Sequence, residues 1–534
     1  MAERPPWGEV APPTGRAAAA VTTMAALARA GLRPERPDRL ARAMLALAWT
    51  GPTLAGGIAA ATARYPLAPA VIDDTGTLTF GGLWMQTDGV ARGLRGRGVG
   101  PSTTVGLLAR NHRSFVIGML AASKLGADLV FLNTGFAGPQ FAHVVAAEGI
   151  GVVVHDDEFS DVVAACRLDA AVSSTELAEL GGQRSFLPLV PSRVQGRTVI
   201  LTSGTTGRPK GARRAASGSV DALGGILTAI PLRARDTVVI AAPLFHAWGL
   251  THLGIGLGLS STAVVQSQFD PEATLAAIDE HRPAGLVVVP VMLQRILALG
   301  GPTIERYDTS SLRYIASSGS ALGATLATAV LHRFGPILYN VYGSTEVSLA
   351  TVAAPADLQA APSTAGRTVP GSVVRILDDA GQPVLAGHVG RIFVGSAARF
   401  EGYTGGGGKE DVGGLLASGD VGHFEGDGLL FIDGRDDDMI VSGGENVFPA
   451  EVEELLGVHP AIAEAAVVGV DDEQFGQRLE AYVVRTPGAT LTARDVKDHV
   501  RSHLARYKVP RRVVFVDELP RTTTGKLRRR DLGL

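Results

Sequence analysis

A polar, glycine-rich segment stands out at residues 201–211, where LTSGTTGRPKG follows the apolar run TVIL. Backbone amides in a glycine-rich turn after a strand can face an anion, and a nearby ammonium group can neutralise its charge. The GxxxxGK[ST] pattern of a P-loop is absent, because a glycine follows the lysine. The sequence therefore predicts a phosphate-binding loop of a different kind. Its candidate residues are Thr202, Ser203, Gly204, Thr205, Thr206, Gly207 and Lys210.

Lysine is a rare residue in this chain, which makes the lysine of that loop more informative. Among the 49 basic residues only six are lysine, at positions 124, 210, 409, 497, 508 and 526. The last of them, Lys526, lies in the threonine-rich segment RTTTGKLRRR. Taken alone, that segment would be read as a solvated basic tail.

The composition excludes several classes of protein. The 534 residues carry 49 basic against 52 acidic side chains, which argues against a nucleic-acid partner held by excess positive charge. Hydrophobic residues make up 46% of the chain, so extensive disorder is excluded. The single cysteine, Cys166, cannot form an internal disulfide, and the N-terminus does not resemble a secretion signal. We therefore expect a cytoplasmic protein.

Residues 43–63 are uncharged for long enough to raise the question of a membrane segment. They are rich in alanine and are interrupted by Gly51-Pro52 and Gly56-Gly57, whereas a span needs about 20 strongly apolar residues. The pattern predicts two helices joined by a turn. Peripheral membrane contact stays open as an alternative.

Up to about residue 350, apolar strand-like runs alternate with helical stretches, and these elements must position the polar segments. Apolar runs such as TVGLLA, TVVIAAP and GLVVVP are followed by helical stretches, which is typical of parallel sheets covered by helices. We predict an α/β fold with parallel-sheet layers, a small β-barrel-like subdomain and a compact α+β C-terminal domain. The predicted boundaries are 1–50 for an N-terminal extension of unassigned role, 51–434 for the large domain with its β-rich part at 366–434, and 435–534 for the C-terminal domain.

Seven segments in a fixed order carry a resemblance to a known family. They are SGTTGRPKG, PLFHAWG, SSGSAL, YNVYGSTE, SGD, GRDDDMIVSGGENVFPAEVE and RTTTGK, between residues 203 and 526. Together they resemble the signature of the adenylate-forming superfamily, which includes acyl-CoA synthetases, luciferases and nonribosomal-peptide adenylation domains. The resemblance implies ATP and coenzyme A as co-substrates and Mg²⁺ as cofactor.

The resemblance assigns nucleotide-binding roles to residues beyond the phosphate loop. The Tyr342 ring would offer a face to adenine. Glu346 would bind magnesium, with Thr202 as a weaker candidate ligand. Asp420 and Arg435 would hold the ribose. The expected ATP-binding residues of these segments are Gly319, Asn340, Tyr342, Gly343, Thr345, Asp420 and Arg435.

The same resemblance implies three catalytic residues. Lys526 would reach the carboxylate and the α-phosphate, where negative charge spreads in the transition state. His246 would stand between the acyl pocket and the nucleotide. Glu346 would act through its magnesium ion.

A moving domain is also implied. Asp437 would be the hinge about which the C-terminal domain turns after the first half-reaction. The turn would withdraw Lys526 and present Gly443 and Gly444, which leave room for the pantetheine arm of coenzyme A.

The acyl substrate is predicted from the run GLTHLGIGLGLS, whose glycines leave room for a long apolar tunnel. The implied activity is an ATP-dependent acyl-CoA synthetase that forms acyl-AMP and pyrophosphate, then a thioester, with a medium- or long-chain fatty acid as the expected substrate. The candidate acyl-pocket residues are Trp248, Gly249, Gly254 and Val289.

Three alternatives remain open. The enzyme could be a CoA ligase for an aryl or terpenoid acid, since packing glycines would explain the same run. It could be a fatty-acyl-AMP ligase that loads a carrier protein, although the usual insertion before the C-terminal domain is not recognisable. A non-catalytic binding protein would be expected to lack Lys210, Glu346 or Lys526, and all three are present.

Overall fold

The structure is a computed structural model of the 534-residue chain. It describes residues 25–31, 36–51, 53–183, 189–203, 209–214, 220–396, 400–436, 440–442, 445–472, 476–504, 508–522 and 526–532. Within these ranges, no helix combines the length and apolar character needed to cross a bilayer.

Three sheets form the body of the molecule, and many of their strands are short runs of valine, isoleucine and leucine. Such runs suit strands that are buried on both faces. The strands are β1 (Pro69–Asp73), β2 (Gly76–Thr79), β3 (Thr104–Leu108), β4 (Asp128–Phe131), β5 (Val152–His155), β6 (Ala170–Ser173), β7 (Thr198–Ser203), β8 (Pro209–Arg214), β9 (Thr237–Ile240), β10 (Thr262–Val265), β11 (Gly285–Val288), β12 (Tyr314–Ser317), β13 (Leu338–Ser344), β14 (Ser348–Ala353), β15 (Arg367–Thr368), β16 (Ser372–Leu377), β17 (Gly390–Ser396), β18 (Phe400–Tyr403), β19 (Asp411–Val412), β20 (Leu415–Phe424) and β21 (Leu430–Arg435).

Helices connect these strands, and several begin at a capping side chain. Thr53, Thr79, Ser173 and Asp270 each accept a hydrogen bond from a backbone N–H in the first turn of the helix that follows. The helices of the body are α1 (Pro37–Thr50), α2 (Leu54–Arg64), α3 (Phe80–Gly96), α4 (Arg113–Leu125), α5 (Gly138–Ala147), α6 (Ser160–Ala164), α7 (Ser174–Gly182), α8 (Val220–Ala229), α9 (Ala247–Gly258), α10 (Pro271–His281), α11 (Pro290–Leu297), α12 (Gly301–Ile304), α13 (Ala324–Phe334) and α14 (Pro355–Ala360).

Two of the sheets are large and mixed. One has the order β18-β8-β7-β4-β3-β5-β6 and the other β15-β14-β13-β12-β11-β9-β10-β1-β2. Their central strands pair in parallel, and the antiparallel strands β8, β18, β2, β14 and β15 lie toward the edges. The predicted α/β fold with parallel-sheet layers is confirmed. Because the carboxyl ends of parallel strands share an edge, the segments after β9, β11, β12 and β13 meet at one place.

A smaller antiparallel sheet follows, as the strand-rich texture after residue 366 predicts. It has the order β16-β17-β20-β19, and β21 pairs with β20. Apolar residues of this sheet, including Val374, Ile392 and Val394, pack with Val347 and Ala350 of the body in one cluster. The small sheet therefore lies beside the end of β13.

The C-terminal part is the predicted α+β unit and has its own core. Val452, Leu456, Val483, Val496 and Val500 are fully buried within it. Its sheet has the order β23-β22-β25-β24, with β26 parallel to β25. Its elements are β22 (Ile440–Ser442), β23 (Glu445–Val447), α15 (Pro449–Gly457), β24 (Ile462–Asp472), β25 (Gly476–Arg485), α16 (Ala493–His503) and β26 (Arg512–Phe515).

Residues 43–63 form parts of α1 and α2, so the predicted pair of helices joined by a turn is confirmed. The turn requires glycine at position 51, because φ is +75° there and an added Cβ would lie 2.9 Å from the carbonyl oxygen of Arg193. Helix α2 buries five of its residues, whereas α1 buries only Ala43 and Thr50. The two helices therefore differ sharply in how they meet the rest of the protein.

Candidate active site

The phosphate-binding loop connects β7 to β8, as its position after an apolar strand predicts. The two strands form an antiparallel pair in which Thr202 lies opposite Lys210 and Ser203 opposite Pro209. Residues 204–208, and with them the predicted Gly204, Thr205, Thr206 and Gly207, lie outside the described residues. The hairpin thus brings Lys210 back beside the end of β7.

Tyr403 on β18 connects this hairpin to the predicted metal ligand. It pairs with Ala212 of β8, and its ring centroid lies 5.4 Å from the Nζ atom of Lys210. The hydroxyl of Tyr403 donates a hydrogen bond to Oε1 of Glu346 at 3.0 Å. Burial, together with the neighbouring Glu346 charge, raises the pKa of Tyr403, so the phenol stays protonated and remains a donor.

Glu346 lies in a tight turn directly after β13. The hydroxyl of Ser344 donates to Oε2 of Glu346 at 3.1 Å and also accepts from the backbone N–H of Glu346. Glycine is required at position 343, because an added Cβ would lie 2.0 Å from the carbonyl oxygen of Ser348. Both carboxylate oxygens of Glu346 therefore have a hydroxyl donor, and the carboxylate is held in one orientation.

Asp420 and Arg435 lie opposite each other on β20 and β21, where their side chains form an ion pair. Nη1 of Arg435 is 3.1 Å from Oδ1 of Asp420, and the Tyr342 hydroxyl donates to Oδ2 of the same carboxylate at 2.6 Å. Burial, and then the Asp420 charge, raises the pKa of Tyr342 well above its ordinary value. Tyr342 and the predicted ribose pair thus form one connected cluster.

Lys526 comes from the C-terminal part and lies close enough to these groups for their charges to act on it. The residue is exposed to solvent, but the protein groups around it partly desolvate its ammonium group, and this desolvation is the main cause that lowers its pKa. The Arg435 charge lowers that pKa further, while Glu346 and Asp420 raise it. The charges of Glu346 and Asp420 therefore act on a lysine that remains accessible to solvent.

His246 stands at the start of α9, close enough to Lys526 for the lysine charge to act on it. Burial lowers the pKa of His246 to about 3, and the Lys526 charge contributes to the shift. Its Nε2 atom is buried and has no hydrogen-bond partner among the described residues. At neutral pH this histidine is uncharged and can face a substrate group without repelling the lysine.

The remaining nucleotide-site candidates lie along the ends of β12 and β13. The side-chain amide of Asn340 donates to the Thr364 carbonyl at 3.2 Å. Gly319 has a φ of +97°, and an added Cβ would touch Val289 at 3.4 Å. Thr345 lies in the same turn as Glu346. The predicted acyl residue Val289 and the predicted nucleotide residue Gly319 are therefore neighbours.

The predicted acyl-pocket residues of α9 lie in different environments. The indole N–H of Trp248 donates to the Val288 carbonyl at 3.0 Å, and the ring meets His252 edge-on at 4.2 Å. Gly249 packs against the backbone of β9's carboxyl end, since an added Cβ would lie 2.5 Å from the Pro243 carbonyl oxygen. Gly254 has no neighbour within 4 Å and shares a helix side with exposed Thr251 and Gly258.

Three predicted residues of the moving domain cannot be placed, because Asp437, Gly443 and Gly444 lie outside the described residues. Their roles as hinge and coenzyme A contacts remain predictions.

Two residues of the site were not predicted from the sequence. Tyr403 was missed because it stands in no recognised segment, although it precedes the glycine run 405–408. Lys409 was missed as well, and it approaches the Asp420 turn, where an added Cβ at Gly419 would lie 3.2 Å from both Nζ of Lys409 and Nη2 of Arg435. The scarcity of lysine was the signal that could have indicated Lys409.

Comparison with known proteins agrees with this geometry. Residues 58–404 match the AMP-binding enzyme family, and residues 451–526 match the AMP-binding enzyme C-terminal domain. The chain is 35% identical to an indoleacetate–CoA ligase from Aromatoleum aromaticum, over 85% of this chain and 92% of the relative. It is 33% identical to a feruloyl-CoA synthase from an Amycolatopsis species, over 86% and 94%.

Solved structures give the same result. The fold resembles that of o-succinylbenzoate CoA synthetase from Bacillus subtilis in complex with its acyl-adenylate intermediate, with a TM-score of 0.79, 26% identity, and coverage of 89% of this chain and 97% of that one. An anthranilate CoA ligase in complex with anthranoyl-AMP gives a TM-score of 0.81 at 26% identity, covering 90% and 96%. The chain belongs to the AMP-binding, adenylate-forming enzyme family, and it is an AMP-forming acid–thiol ligase that makes an acyl-CoA from a carboxylic acid, ATP and coenzyme A.

Proposed function

We propose that this ligase activates an aromatic carboxylic acid in preference to a long-chain fatty acid. Several similar enzymes carry names of aryl acids, among them indoleacetate, ferulate and anthranilate. One relative, 31% identical, is a fatty acid–acyl-carrier-protein ligase from Streptomyces coeruleorubidus. The acid therefore has to be inferred from the acyl side of this chain's own site.

The observation that carries the proposal is the Trp248–His252 pair. The hydrogen bond from Trp248 to the Val288 carbonyl and its ring contact with His252 hold the indole in one orientation. A flat aromatic wall favours a planar acid, because ring contacts of this kind add to apolar burial. Behind the pair, the cavity lined by His252, Gly256 and Tyr314 has room for roughly one water molecule.

The glycine run does not argue for a long tunnel. Gly249 serves close packing of α9 on the strand end, and Gly254 lies on the outward side of the helix. A long acyl chain would have to displace the Trp248 ring and break its hydrogen bond to Val288. The predicted fatty-acid substrate is therefore our second choice.

In the first half-reaction the acid's carboxylate oxygen attacks the α-phosphorus of ATP. The new oxygen–phosphorus bond forms as the bond to the pyrophosphate oxygen breaks, which gives acyl-AMP and pyrophosphate. Lys526 offers an ammonium group to the carboxylate and the α-phosphate, where negative charge spreads. Lys210 neutralises the departing phosphates, Asp420 and Arg435 hold the ribose, and neutral His246 faces the acid.

Glu346 fits a magnesium ion bound together with the substrate. Its carboxylate is oriented by Tyr403 and Ser344, and no group of three or more metal-ligating side chains occurs among the described residues. Mg²⁺ is often held by one or two carboxylates with water and substrate phosphates rather than by a complete protein cage. When bound, the ion would draw charge from the phosphates under attack.

In the second half-reaction the coenzyme A thiol attacks the acyl carbonyl carbon, and AMP leaves with the electrons of the carbon–oxygen bond. We infer that the C-terminal domain turns about Asp437 between the two steps, which removes Lys526 and brings Gly443 and Gly444 to the site. The separate apolar core of that domain supports movement as a unit.

The test is a pyrophosphate-release assay over a panel of acids, with coenzyme A thioester formation measured in parallel. The panel pairs indoleacetic, ferulic and anthranilic acids with saturated acids of eight to sixteen carbons. We expect kcat/KM at least about tenfold higher for one of the aromatic acids, the scale of differences in apolar fit. A higher value for a saturated acid would contradict the proposal. Adenylate without thioester would indicate a carrier-protein acceptor.

A further inference from the structure

The outward side of α1 is apolar, which is unusual for a surface helix. Leu40, Met44, Leu45, Leu47 and Trp49 are 40 to 70% exposed, whereas the buried residues of the helix are Ala43 and Thr50. An amphipathic helix on a globular protein normally places its large apolar residues against the core. Here the small residues face the protein and the large ones face outward.

The neighbouring segment extends this surface. Val190 and Val194 are 60% and 69% exposed, and Arg193 between them donates a hydrogen bond to the Ala48 carbonyl near the end of α1. Together these residues form the α1 patch, which consists of Leu40, Met44, Leu45, Leu47, Trp49, Val190 and Val194. They make up seven of the twelve large apolar residues that are exposed in the described ranges. Such concentration indicates an interaction surface.

The charged side chains beside the α1 patch are mainly cationic. Arg36 immediately precedes the helix, Arg42 lies on it, Arg193 lies near its C-terminal end, and Arg95 donates a hydrogen bond to the Val190 carbonyl. The acidic residue on α1, Asp38, is already paired with Arg36 and Arg42. A partner surface that complements the α1 patch should therefore be apolar at its centre and anionic at its rim.

Two other occupants fit this charge pattern poorly. A second copy of the chain meeting the α1 patch through a twofold axis would place arginines against arginines, which is unfavourable. Residues 1–24 could fold over the patch, but they carry Glu3 and Glu9 against Arg4 and Arg16 and so bring no net negative charge. Neither supplies an anionic rim.

We propose that the α1 patch docks the enzyme on an anionic lipid bilayer. Helix α1 would lie in the plane of the interface with its leucine, methionine and tryptophan side chains among the acyl chains, while the arginines meet lipid phosphates. Helix α1 precedes the matched family region, which begins at residue 58, whereas Val190 and Val194 lie within that region, so the helical part of the patch is outside the part of the chain that matches the family. The proposal is independent of which acid the enzyme activates.

The test is cosedimentation of the full-length enzyme with vesicles of phosphatidylcholine alone or with about one quarter phosphatidylglycerol. We expect binding to the anionic vesicles that weakens as salt rises, because arginine–phosphate attraction is screened. Replacing Met44→Gln and Leu45→Gln together should reduce the bound fraction at least about tenfold. Arg42→Gln with Arg193→Gln should reduce binding to the anionic vesicles only.

Leu385→Gln is the matched control, since Leu385 is 77% exposed on the small antiparallel sheet region and outside the patch. It should bind vesicles as the unchanged enzyme does, and all variants should keep adenylation activity because none of the replaced residues belongs to the site described above. The proposal is overturned if the unchanged enzyme does not sediment with anionic vesicles at low salt. It is also overturned if the Leu385 variant loses binding equally, or if light scattering shows a dimer that the patch variant dissociates.

Discussion

On the nucleotide side of the site, charged and hydroxyl groups hold one another. Tyr403 and Ser344 donate to Glu346, and Tyr342 and Arg435 bind Asp420. On the proposed acyl side, one hydrogen bond from Trp248 and a ring contact with His252 hold the indole that would form the wall. The nucleotide side must bind a ligand that is the same for every acid, whereas the acyl side must distinguish one acid from another.

The two sides should therefore respond differently to substitution. Changes on the nucleotide side should slow adenylation for all acids by a similar factor, because the charge they stabilise is common to every reaction. Changes on the acyl side should alter the ranking of acids. Single substitutions on each side test that difference.

Replacing Lys526→Ala should slow adenylation at least about 10²-fold, the scale for losing one group that stabilises transition-state charge. Thioester formation from synthetic acyl-AMP should be nearly unchanged if, as we propose, the lysine is withdrawn before that step. The measurements are pyrophosphate release and thioester formation. Lys497→Ala is the control, because Lys497 binds the Arg511 carbonyl in the same domain and has no role in the site. Equal loss of both half-reactions would contradict the two-position assignment.

Replacing Tyr403→Phe should raise the MgATP concentration needed for half-maximal adenylation about tenfold, the size of one lost hydrogen bond to a charged group. The ring near Lys210 is kept, so the hydroxyl alone is tested. Binding of Mn²⁺ in the presence of ATP, followed by paramagnetic resonance, gives a readout independent of turnover. Tyr307→Phe is the control, since Tyr307 makes the same kind of bond to Glu272 elsewhere. If the MgATP concentration needed for half-maximal adenylation is unchanged, Tyr403 does not contribute to MgATP binding.

Replacing Trp248→Ala should change the ranking of acids more than the maximal rate. Opening the wall should raise kcat/KM for saturated acids several-fold relative to aromatic acids, since a ring contact is lost and space is gained. Competition between one aromatic and one saturated acid measures the ratio directly. Gly254→Ala is the control, because nothing lies within 4 Å of that position. A uniform loss for all acids would show that Trp248 only supports the fold.

The pH dependence of adenylation should reflect Lys526. Its pKa is lowered, mainly by burial, so the ammonium form is lost at a lower pH than for a free lysine. Adenylation should therefore decline as pH rises through that lowered value, and Lys526→Arg should reduce the decline because arginine stays charged. His246, with its pKa near 3, should contribute no inflection near neutrality. The measurement is the rate of adenylation as a function of pH for the unchanged enzyme and for Lys526→Arg.

Much of the nucleotide side could be predicted without coordinates. The phosphate loop is expected from its residue types and its position after a strand, whereas the roles of Glu346 and of the Asp420–Arg435 pair are implied by the resemblance of short segments to the family. A phosphate requires amides and a cation, and a ribose requires a carboxylate. Because these requirements are met within a few residues of chain, the order of the segments was enough to indicate the family and its α/β fold.

The acyl side depended on tertiary packing. Glycines at 249, 254, 256 and 258 are equally consistent with a tunnel and with close helix packing, and only the neighbours of each position distinguish the two. Tyr403 lies 57 residues from Glu346 in the chain, and no local pattern connects them. Their contact exists because β18 pairs with β8.

Helix α1 shows the same division. Its periodicity predicts a helix but not which side is covered, because a large apolar residue is compatible with a core or with an interface. Which side of α1 faces the protein is decided by its contacts with α2 and with residues near Arg193, which are far from α1 in the sequence. Local chemistry is encoded by residues that are neighbours in the sequence. Burial, in contrast, is a property of the folded chain as a whole. The proposed acyl wall and the α1 patch both depend on burial, so only the tertiary structure could decide them.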